Sequence, residues 1–443
     1  MDSKPSSSIV QPTTLDEFEA LLDNAEKVGT TSGLAVLAGD EYIFSSDAIW
    51  LSARTATERN SYIWAPDIYE GETSPHWDLP YSAIFFANNV LQGLNQINVG
   101  QLNLSRWNNI RGWALFVRAF AYYELVTNFA ATYDESTAST DLGVPLRLNP
   151  SVDEILPRST VQETYDRIFA DLEEATALLD GSIPNARTRP SKIAAHALFA
   201  RIHLNRREYV KAELHADSCL ALYNSLLDYN SLNKTSISPF AYNHTEQIYA
   251  KTAVNVAAYS ASAAGNTFIQ MPQELIDLYQ PNDLRLTIFF MRQSDGSYDP
   301  KRGYYGPTLY PYVGLATDEI YLIKAECLAR RGETQASMSW LNNLLIKRWN
   351  PNATSPAKPY ENIVAQTLEE ALTIILLERR KELVWRGLRW EDFKRLNKEG
   401  AGITLTRTIN GQTYTLPPNS PKYIFPIPDN EINLSGIQQN LRN

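Results

Sequence analysis

The hydrophobic residues of the chain recur mostly at helical spacing. After Thr160, apolar side chains stand at Val161, Tyr165, Ile168 and Leu172, which share one face of a helix. A strand would instead alternate apolar and polar positions. The same reading predicts eight more helices, over residues 77–97, 106–130, 190–205, 207–227, 317–331, 333–349, 367–386 and 388–398. The pattern therefore predicts a mainly α fold.

Helix starts are marked more clearly than strands. A capping box is a Thr followed three residues later by Glu, which together satisfy free N–H groups at a helix start. Three such boxes occur, at Thr14/Glu17, Thr160/Glu163 and Thr367/Glu370. Strand candidates are few, and the best are residues 246–256 and 423–427.

Two stretches of the chain resemble each other at an offset of 124 residues. Each predicts a helix, a short polar turn and a second helix, with the turns at 205–208 and 330–333. The matched pairs are Leu198/Leu322, Phe199/Ile323, Leu204/Leu328, Ala212/Ala336 and Leu220/Leu344. This arrangement is typical of tetratricopeptide-like helix pairs, of about 34 residues each. One pair cannot bury its own apolar face, so the pairs are expected to stack into one scaffold.

Two long stretches are rich in aromatic residues and lack helical spacing for most of their length. They are residues 40–81 and residues 291–313, the second also rich in glycine and proline. Structureless segments of this length are usually functional or disordered. Their aromatic content argues against disorder. We therefore expect an irregular, loop-rich part that carries a ligand site.

Composition and charge narrow the class of protein. The 443 residues (50.0 kDa) are 44% hydrophobic, enough for a large core without metals or disulfides. The balance of 40 basic and 50 acidic residues gives a net charge of −10 with no basic run, which argues against a nucleic-acid partner. Cys219 and Cys327 are too few for a disulfide framework. Buried reduced thiols are predicted, with a single bridge between the two as the alternative.

Catalytic and metal-binding motifs do not stand out. We find no glycine-rich phosphate loop, no G-x-S-x-G and no H-E-x-x-H. His196 and His203 lie two helical turns apart, which is too far for both to bind one metal ion. Asp283 and Arg285 suggest an ion pair at a helix end. The charge run 378–395 indicates a salt-bridged helical face whose arginines bond to loop carbonyls. We therefore predict no catalytic residues, no metal and no cofactor.

The C-terminal third carries the most specific pattern. Residues 378–396 resemble the signature of the SusD/RagB family, the nutrient-binding outer-membrane lipoproteins of Bacteroidetes-type bacteria. Other hallmarks of the family are matched, in family order, at 118–123 with 142–146, at 317–326, and at 423–432 with Gln439 and Asn440. One departure is Arg386, where the family's commonest form has an acidic residue.

The resemblance implies a single SusD-like body over residues 1–443. Tetratricopeptide-like helix pairs would form the scaffold. An N-terminal helical part would span 10–240 and include the aromatic segment 40–81. An irregular insertion would occupy 241–316, and a helix pair with the signature region would fill 317–443.

The resemblance also implies a function without catalysis. Such proteins bind a nutrient oligosaccharide and deliver it to a SusC-like TonB-dependent outer-membrane transporter, over which they act as a lid. A peptide-capture member of the same family is one alternative, and a cytoplasmic tetratricopeptide adaptor is another. Residues 1–8 show no apolar signal-peptide core. Because the family begins with a signal peptide and a lipidated cysteine, we expect the trimmed start of a lipoprotein anchored at the cell surface.

The ligand is expected to contact the two aromatic stretches. A sugar ring presents an apolar C–H face that packs on an aromatic ring, while its hydroxyls need polar partners. The candidate stacking residues are Trp50, Trp64, Tyr69, Trp77, Tyr298, Tyr304, Tyr305 and Tyr310. The candidate hydrogen-bonding residues are Asp47 and Asp67. About half of these rings are expected in the core, Trp77 above all, because its spacing to Tyr81, Ile84 and Phe85 is helical.

Overall fold

Helices make up most of the regular structure, as the hydrophobic spacing predicts. The computed structural model describes residues 12–98, 100–151, 153–352 and 358–442. The helices in these ranges are α1 (Leu15–Leu22), α2 (Leu34–Ala38), α3 (Asp47–Leu51), α4 (Ala56–Tyr62), α5 (Pro75–Leu94), α6 (Leu104–Phe129), α7 (Val161–Leu178), α8 (Lys192–Asn205), α9 (Tyr209–Leu222), α10 (Ala257–Ala263), α11 (Gln273–Ile276), α12 (Arg285–Phe289), α13 (Thr317–Arg330), α14 (Thr334–Leu345), α15 (Leu368–Glu382), α16 (Arg389–Lys398) and α17 (Asp429–Ser435). The fold is mainly α, and that prediction is confirmed.

The strands are short and pair only two at a time within the described ranges. The pairs are β1 (Thr30–Ser32) parallel to β4 (Thr252–Val254), and the antiparallel pairs β2 (Ile43–Phe44) with β5 (Ile269–Gln270), β3 (Gln247–Tyr249) with β8 (Leu315–Ala316), β6 (Phe290–Arg292) with β7 (Tyr298–Pro300), and β9 (Leu405–Ile409) with β10 (Gln412–Leu416). Four of the five pairs involve the segment between α9 and α13. This segment is therefore irregular but ordered.

The long helices form one continuous stack. Helix α5 packs on α6, α6 on α7, α7 on α8, α8 on α9, and α9 on α13, which in turn contacts α14 and α15. Their apolar faces share a single buried cluster that runs from Phe18 to Ile437. No single pair could bury this surface alone, so the predicted tetratricopeptide-like scaffold is what the packing requires.

The predicted repeat is present but its offset is one residue too short. The turns of the pairs α8–α9 and α13–α14 have left-handed backbone at Arg207 (φ 63°) and Gly332 (φ 91°), which are 125 positions apart. Ala212 is therefore matched by Ser337, and both side chains are fully buried. A small residue at this position still lets the two helices of each pair approach closely, so close helix packing still explains the repeat.

The local predictions differ in accuracy at the helix starts and at the C-terminal strand. The capping boxes at Thr14 and Thr160 are complete. At the third box Thr367 caps its helix, but Glu370 accepts from the Gln366 N–H and not from the Thr367 N–H.

The strand predicted at 423–427 is wrong. A short 3₁₀ helix ends at Tyr423, and Phe425 N donates to the Asn128 carbonyl of α6 (2.9 Å).

The charge run of α15 and α16 is buried, not a solvated face. Arg395 pairs with Glu326 of α13 (2.6 Å) and with Asp392 (2.8 Å), and Arg379 pairs with Asp392 (2.9 Å). Carboxylates, not loop carbonyls, therefore satisfy these arginines, which corrects the prediction. Burying a guanidinium is tolerable only when such partners surround it.

A second buried network, which we call the ion core, joins the start of α12 and the end of α15 to residues that follow α14 and precede β3. The ion pair predicted between Asp283 and Arg285 is present (2.7 Å), and Arg285 also contacts Glu382 (3.0 Å). Arg348 bridges Glu382 and Glu246 at 2.7 Å each. All five side chains are buried. The unusual Arg386 also has a partner, because its guanidinium contacts Asp318 of α13 at 3.0 Å.

The two thiols are not bonded to each other. Cys219 and Cys327 are both buried and free, as predicted, and burial raises the pKa of each thiol.

No helix in the described part of the chain is both long and apolar enough to cross a lipid bilayer.

A buried histidine gives the fold a testable pH dependence. Nδ1 of His76 accepts from the Gly33 N–H (3.2 Å) and lies 3.1 Å from Ser32 Oγ, and burial lowers the pKa of the imidazole to about 3. The unfolded chain binds this proton at its ordinary pKa of about 6.5. The contribution of His76 to stability is therefore complete above about pH 6.5 and is lost as the pH falls toward about 3.

The test compares the wild type with His76→Asn at pH 7 and pH 5. Because burial raises the pKa of Glu41 to about 8, that group changes stability in the opposite direction, and only the difference between the two proteins isolates His76. We expect the wild type to lose about 2 kcal/mol more unfolding free energy than the variant over this range. Urea unfolding measures both values, and equal losses would contradict the burial of a neutral His76.

Candidate functional site

The aromatic stretch 40–81 packs against residues 258–270, in the irregular segment that precedes the second aromatic stretch. Strand β2 pairs with β5, and beside it Ser45 N donates to the Phe268 carbonyl (3.0 Å). Glu58 of α4 accepts from the Ala258 N–H (2.8 Å) at the start of α10. We call the outer surface of residues 43–54, 257–270 and 298–310 the loop face.

A cluster of buried rings lies beneath the loop face. It contains Tyr42, Phe44, Tyr62, Tyr259 and Trp385, with ring centroids 4.6–5.6 Å apart. The cluster ties the stretch around residue 42 to the family-signature region at residue 385. The loop face therefore lies on a packed layer, although its own backbone is irregular.

Five of the predicted stacking rings belong to the core. Trp50 and Trp64 donate their indole N–H groups to the carbonyls of Arg59 and Ala38, both at 3.0 Å. Trp64 is 1% exposed. A buried ring with its polar atom satisfied by backbone presents no face to a ligand.

The other three buried rings are held by different internal contacts. Tyr69 donates to the Pro426 carbonyl (2.8 Å), and Trp77 packs edge-on against Phe129 (5.0 Å). Tyr304 donates to the Glu246 carboxylate. These rings and the two tryptophans above are structural in this fold, so the proposed contact surface shifts to the remaining tyrosines.

The exposed rings lie on the insertion. Tyr310 is 42% exposed and Tyr305 is half-buried on the same loop. Tyr242, which the sequence analysis did not single out, is 51% exposed and meets Tyr305 edge-to-face at 5.1 Å. We call Tyr242, Tyr305 and Tyr310 the tyrosine patch.

A glycine fixes the backbone between these tyrosines. Gly306 has φ +62°, and a Cβ there would lie 2.9 Å from Cδ1 of Tyr242. Any other residue would be strained in this conformation and would push the Tyr242 ring away. Gly306 is therefore the local reason why Tyr242 and Tyr305 can meet.

Tyr298 and the two predicted aspartates lie at other points of the surface. Tyr298 is half-buried on β7 and packs against the ring cluster. Asp47 is exposed and accepts from the Asn410 N–H (2.9 Å), which links α3 to the β9–β10 hairpin. Asp67 is exposed but accepts from the Tyr69 N–H (2.8 Å) and the Glu70 N–H (3.0 Å), so it shapes its own turn.

Polar and apolar groups alternate across the loop face. Leu51 and Ile43 are exposed near Asp47, and Arg54 is exposed after them. Beneath the surface, Asp299 is 2% exposed and one of its carboxylate oxygens has no partner among the described residues. Apolar patches beside hydrogen-bonding groups are what a polyhydroxylated ring requires.

The described residues do not present a metal centre. No three His, Cys, Asp or Glu side chains in them lie close enough to hold an ion. Several carboxylates have shifted pKa values, but these belong to buried contacts: burial raises the pKa of Glu246 and of Asp318, which face arginines. The exposed tyrosines and polar side chains of the loop face can offer stacking and hydrogen bonding.

Comparison with known families agrees with the sequence hallmarks. A family model described as starch-binding and associating with the outer membrane matches residues 1–204, and the model of the SusD family matches residues 315–442. The chain belongs to the SusD/RagB family. The tyrosine patch lies in the stretch between the two matches.

Relatives and solved structures of the SusD/RagB family show the same fold. SusD-like protein P38 of Formosa agariphila is 24% identical over an alignment of 397 positions, which covers 76% of this chain and 74% of that protein. A SusD superfamily protein from Bacteroides vulgatus superposes with a TM-score of 0.75 at 22% identity, covering 97% of this chain and 99% of its own. A laminarin-binding SusD-like protein superposes with a TM-score of 0.68 at 18% identity, covering 96% and 98%.

Proposed function

We propose that the protein captures an oligosaccharide at the tyrosine patch without catalysing a reaction. The observation that carries this proposal is the exposed tyrosine patch, with Tyr242 51% and Tyr310 42% exposed on an otherwise packed frame. Exposed aromatic rings cost solvation free energy unless something covers them. A sugar ring covers them with its C–H face and leaves its hydroxyls for neighbouring polar groups.

The frame beneath the patch favours binding with little reorganisation. Gly306 and the edge-to-face contact of Tyr242 with Tyr305 fix the two rings before any ligand arrives. Tyr305 also packs against a buried cluster that contains Phe240, Tyr304 and Tyr312. Binding to a preformed surface costs less conformational entropy, because the side chains are already ordered. Stacking on a few rings can then give measurable affinity.

The comparisons support a glycan as the ligand class. One matching family model is described as starch-binding, and one structural relative binds laminarin. By analogy we propose attachment to the outer membrane at the cell surface and delivery of the captured glycan to a SusC-like TonB-dependent transporter. The description of the first family model, which associates it with the outer membrane, supports this placement.

Calorimetric titration with a panel of ligands tests the proposal. The panel contains laminarin, starch, xylan and pectin oligosaccharides, together with a pool of short peptides. We expect saturable binding of at least one glycan, and chromatography should recover that glycan uncleaved after incubation. Binding of the peptide pool with no glycan would instead identify a peptide-capture protein, and cleavage of the glycan would contradict the absence of catalysis.

A further inference from the structure

A concave surface that shares no lining residue with the loop face lies along α5. It encloses about 370 Å³, within the range of about 300–1,000 Å³ usual for ligand sites. Its main lining comes from one side of α5, from the chain at 145–151 and from α17. We call it the α5 groove and define it by Trp77, Asp78, Tyr81, Phe85, Arg147 and Glu431.

The base of the α5 groove is aromatic. The rings of Trp77 and Tyr81 lie 5.0 Å apart at 46°, and Phe85 follows one helical turn later. Tyr81 and Phe85 are half-buried, so each keeps part of its ring accessible. The guanidinium carbon of Arg147 lies 6.0 Å from the centre of the Tyr81 ring, which places a cation beside this apolar surface.

The sides of the groove carry charges that form no ion pair with any residue that the structure describes. None of the ion pairs among the described residues involves Asp78, Glu431 or Arg147. Asp78 and Glu431 both line the groove. Burial and the nearby Glu431 raise the pKa of Asp78. Charges that are not engaged in ion pairs within the protein remain available to bond with a ligand.

The rim of the groove is held in place by its backbone. Tyr81 donates to the Pro145 carbonyl (2.9 Å), and Asn88 donates to the Arg147 carbonyl (2.9 Å). Tyr122 donates to the same Arg147 carbonyl (2.6 Å). The side chain of Arg147 therefore projects from a fixed point, as a recognition group should.

We propose that the α5 groove is a second saccharide site, separate from the tyrosine patch. A neutral sugar ring packs on Tyr81 and Phe85, donates hydroxyl hydrogen bonds to Asp78 and Glu431, and accepts one from Arg147. Two sites on one molecule would hold a long chain more tightly than either alone, by raising the effective concentration at the second. The proposal rests on the proposed function, because it assumes a glycan ligand.

The experiment uses calorimetry with the glycan selected from the panel, in both polymer and short-oligomer form. The groove variant is Asp78→Ala with Arg147→Ala, and the patch variant is Tyr242→Ala with Tyr310→Ala. Glu173→Ala with Lys211→Ala, two exposed residues on α7 and α9, is the matched control. Circular dichroism and urea unfolding confirm that every variant is folded.

We expect two short oligomers to bind per wild-type molecule and one per molecule of either variant. The groove variant should also bind the polymer about tenfold more weakly than the control. A single wild-type site that the patch variant abolishes would overturn the groove and leave the proposed function intact. Binding that only the groove variant abolishes would support the groove and overturn the patch. No glycan binding by the wild type would overturn both.

Discussion

Replacing Arg348 by methionine is expected to lower the free energy of unfolding by about 3–5 kcal/mol. The Arg348 guanidinium is fully buried and bonds to Glu246 and Glu382 (2.7 Å each) and to the Leu227 carbonyl (2.7 Å). Methionine fills much of the same space but leaves two buried carboxylates without this cation. An uncompensated buried charge is among the costliest defects in a folded protein.

Urea unfolding of the soluble variant measures the effect. The matched control is Arg189→Met, which removes the partner of Asp23 from a pair that is 40% and 34% exposed. An exposed pair of this kind contributes only about 0–1 kcal/mol. Equal losses in the two variants would contradict the ion core as a determinant of stability. Should Arg348→Met fail to fold, Arg348→Lys keeps a charge at this position and should recover a folded but weakened protein.

Removing the two most exposed rings of the tyrosine patch should weaken glycan binding about 100-fold. Each ring is expected to contribute about tenfold, or about 1.4 kcal/mol, because a stacked sugar ring loses its contact surface. The stability of Tyr242→Ala with Tyr310→Ala should stay within about 0.5 kcal/mol of the wild type, since both rings are exposed.

Titration of the double variant with the selected glycan measures this loss. Leu214→Ala is the matched control, because Leu214 is 62% exposed on the scaffold helix α9 and far along the chain from the insertion. The control should bind like the wild type. Wild-type affinity in the tyrosine double variant would place the glycan elsewhere on the molecule.

Sequence reasoning predicts the frame better than the site. The helices follow from spacing and caps that lie within a few residues of each other, as at Thr160 and Glu163. Burial of an aromatic ring depends on contacts far along the chain. Trp64 is buried because its indole bonds to Ala38, 26 residues away, and Tyr69 because it bonds to Pro426. Neither contact is visible in local composition.

The position of the exposed Tyr242 also depends on a contact with a residue distant in the sequence. It lies outside both aromatic stretches, and only the approach of Gly306 places it beside Tyr305. The strand predicted at 423–427 is absent for a local reason. Pro426 and Pro428 flank Ile427 and have no N–H to donate to a sheet, so the segment stays outside any strand.

A crystal structure of the protein with the glycan selected by titration tests the central claim most directly. We predict a sugar ring lying flat against Tyr242 or Tyr310, with the scaffold helices unmoved. Glycan bound only at surfaces remote from residues 242–310, or binding that first requires the buried rings of Trp50 and Trp64 to swing out, would contradict it.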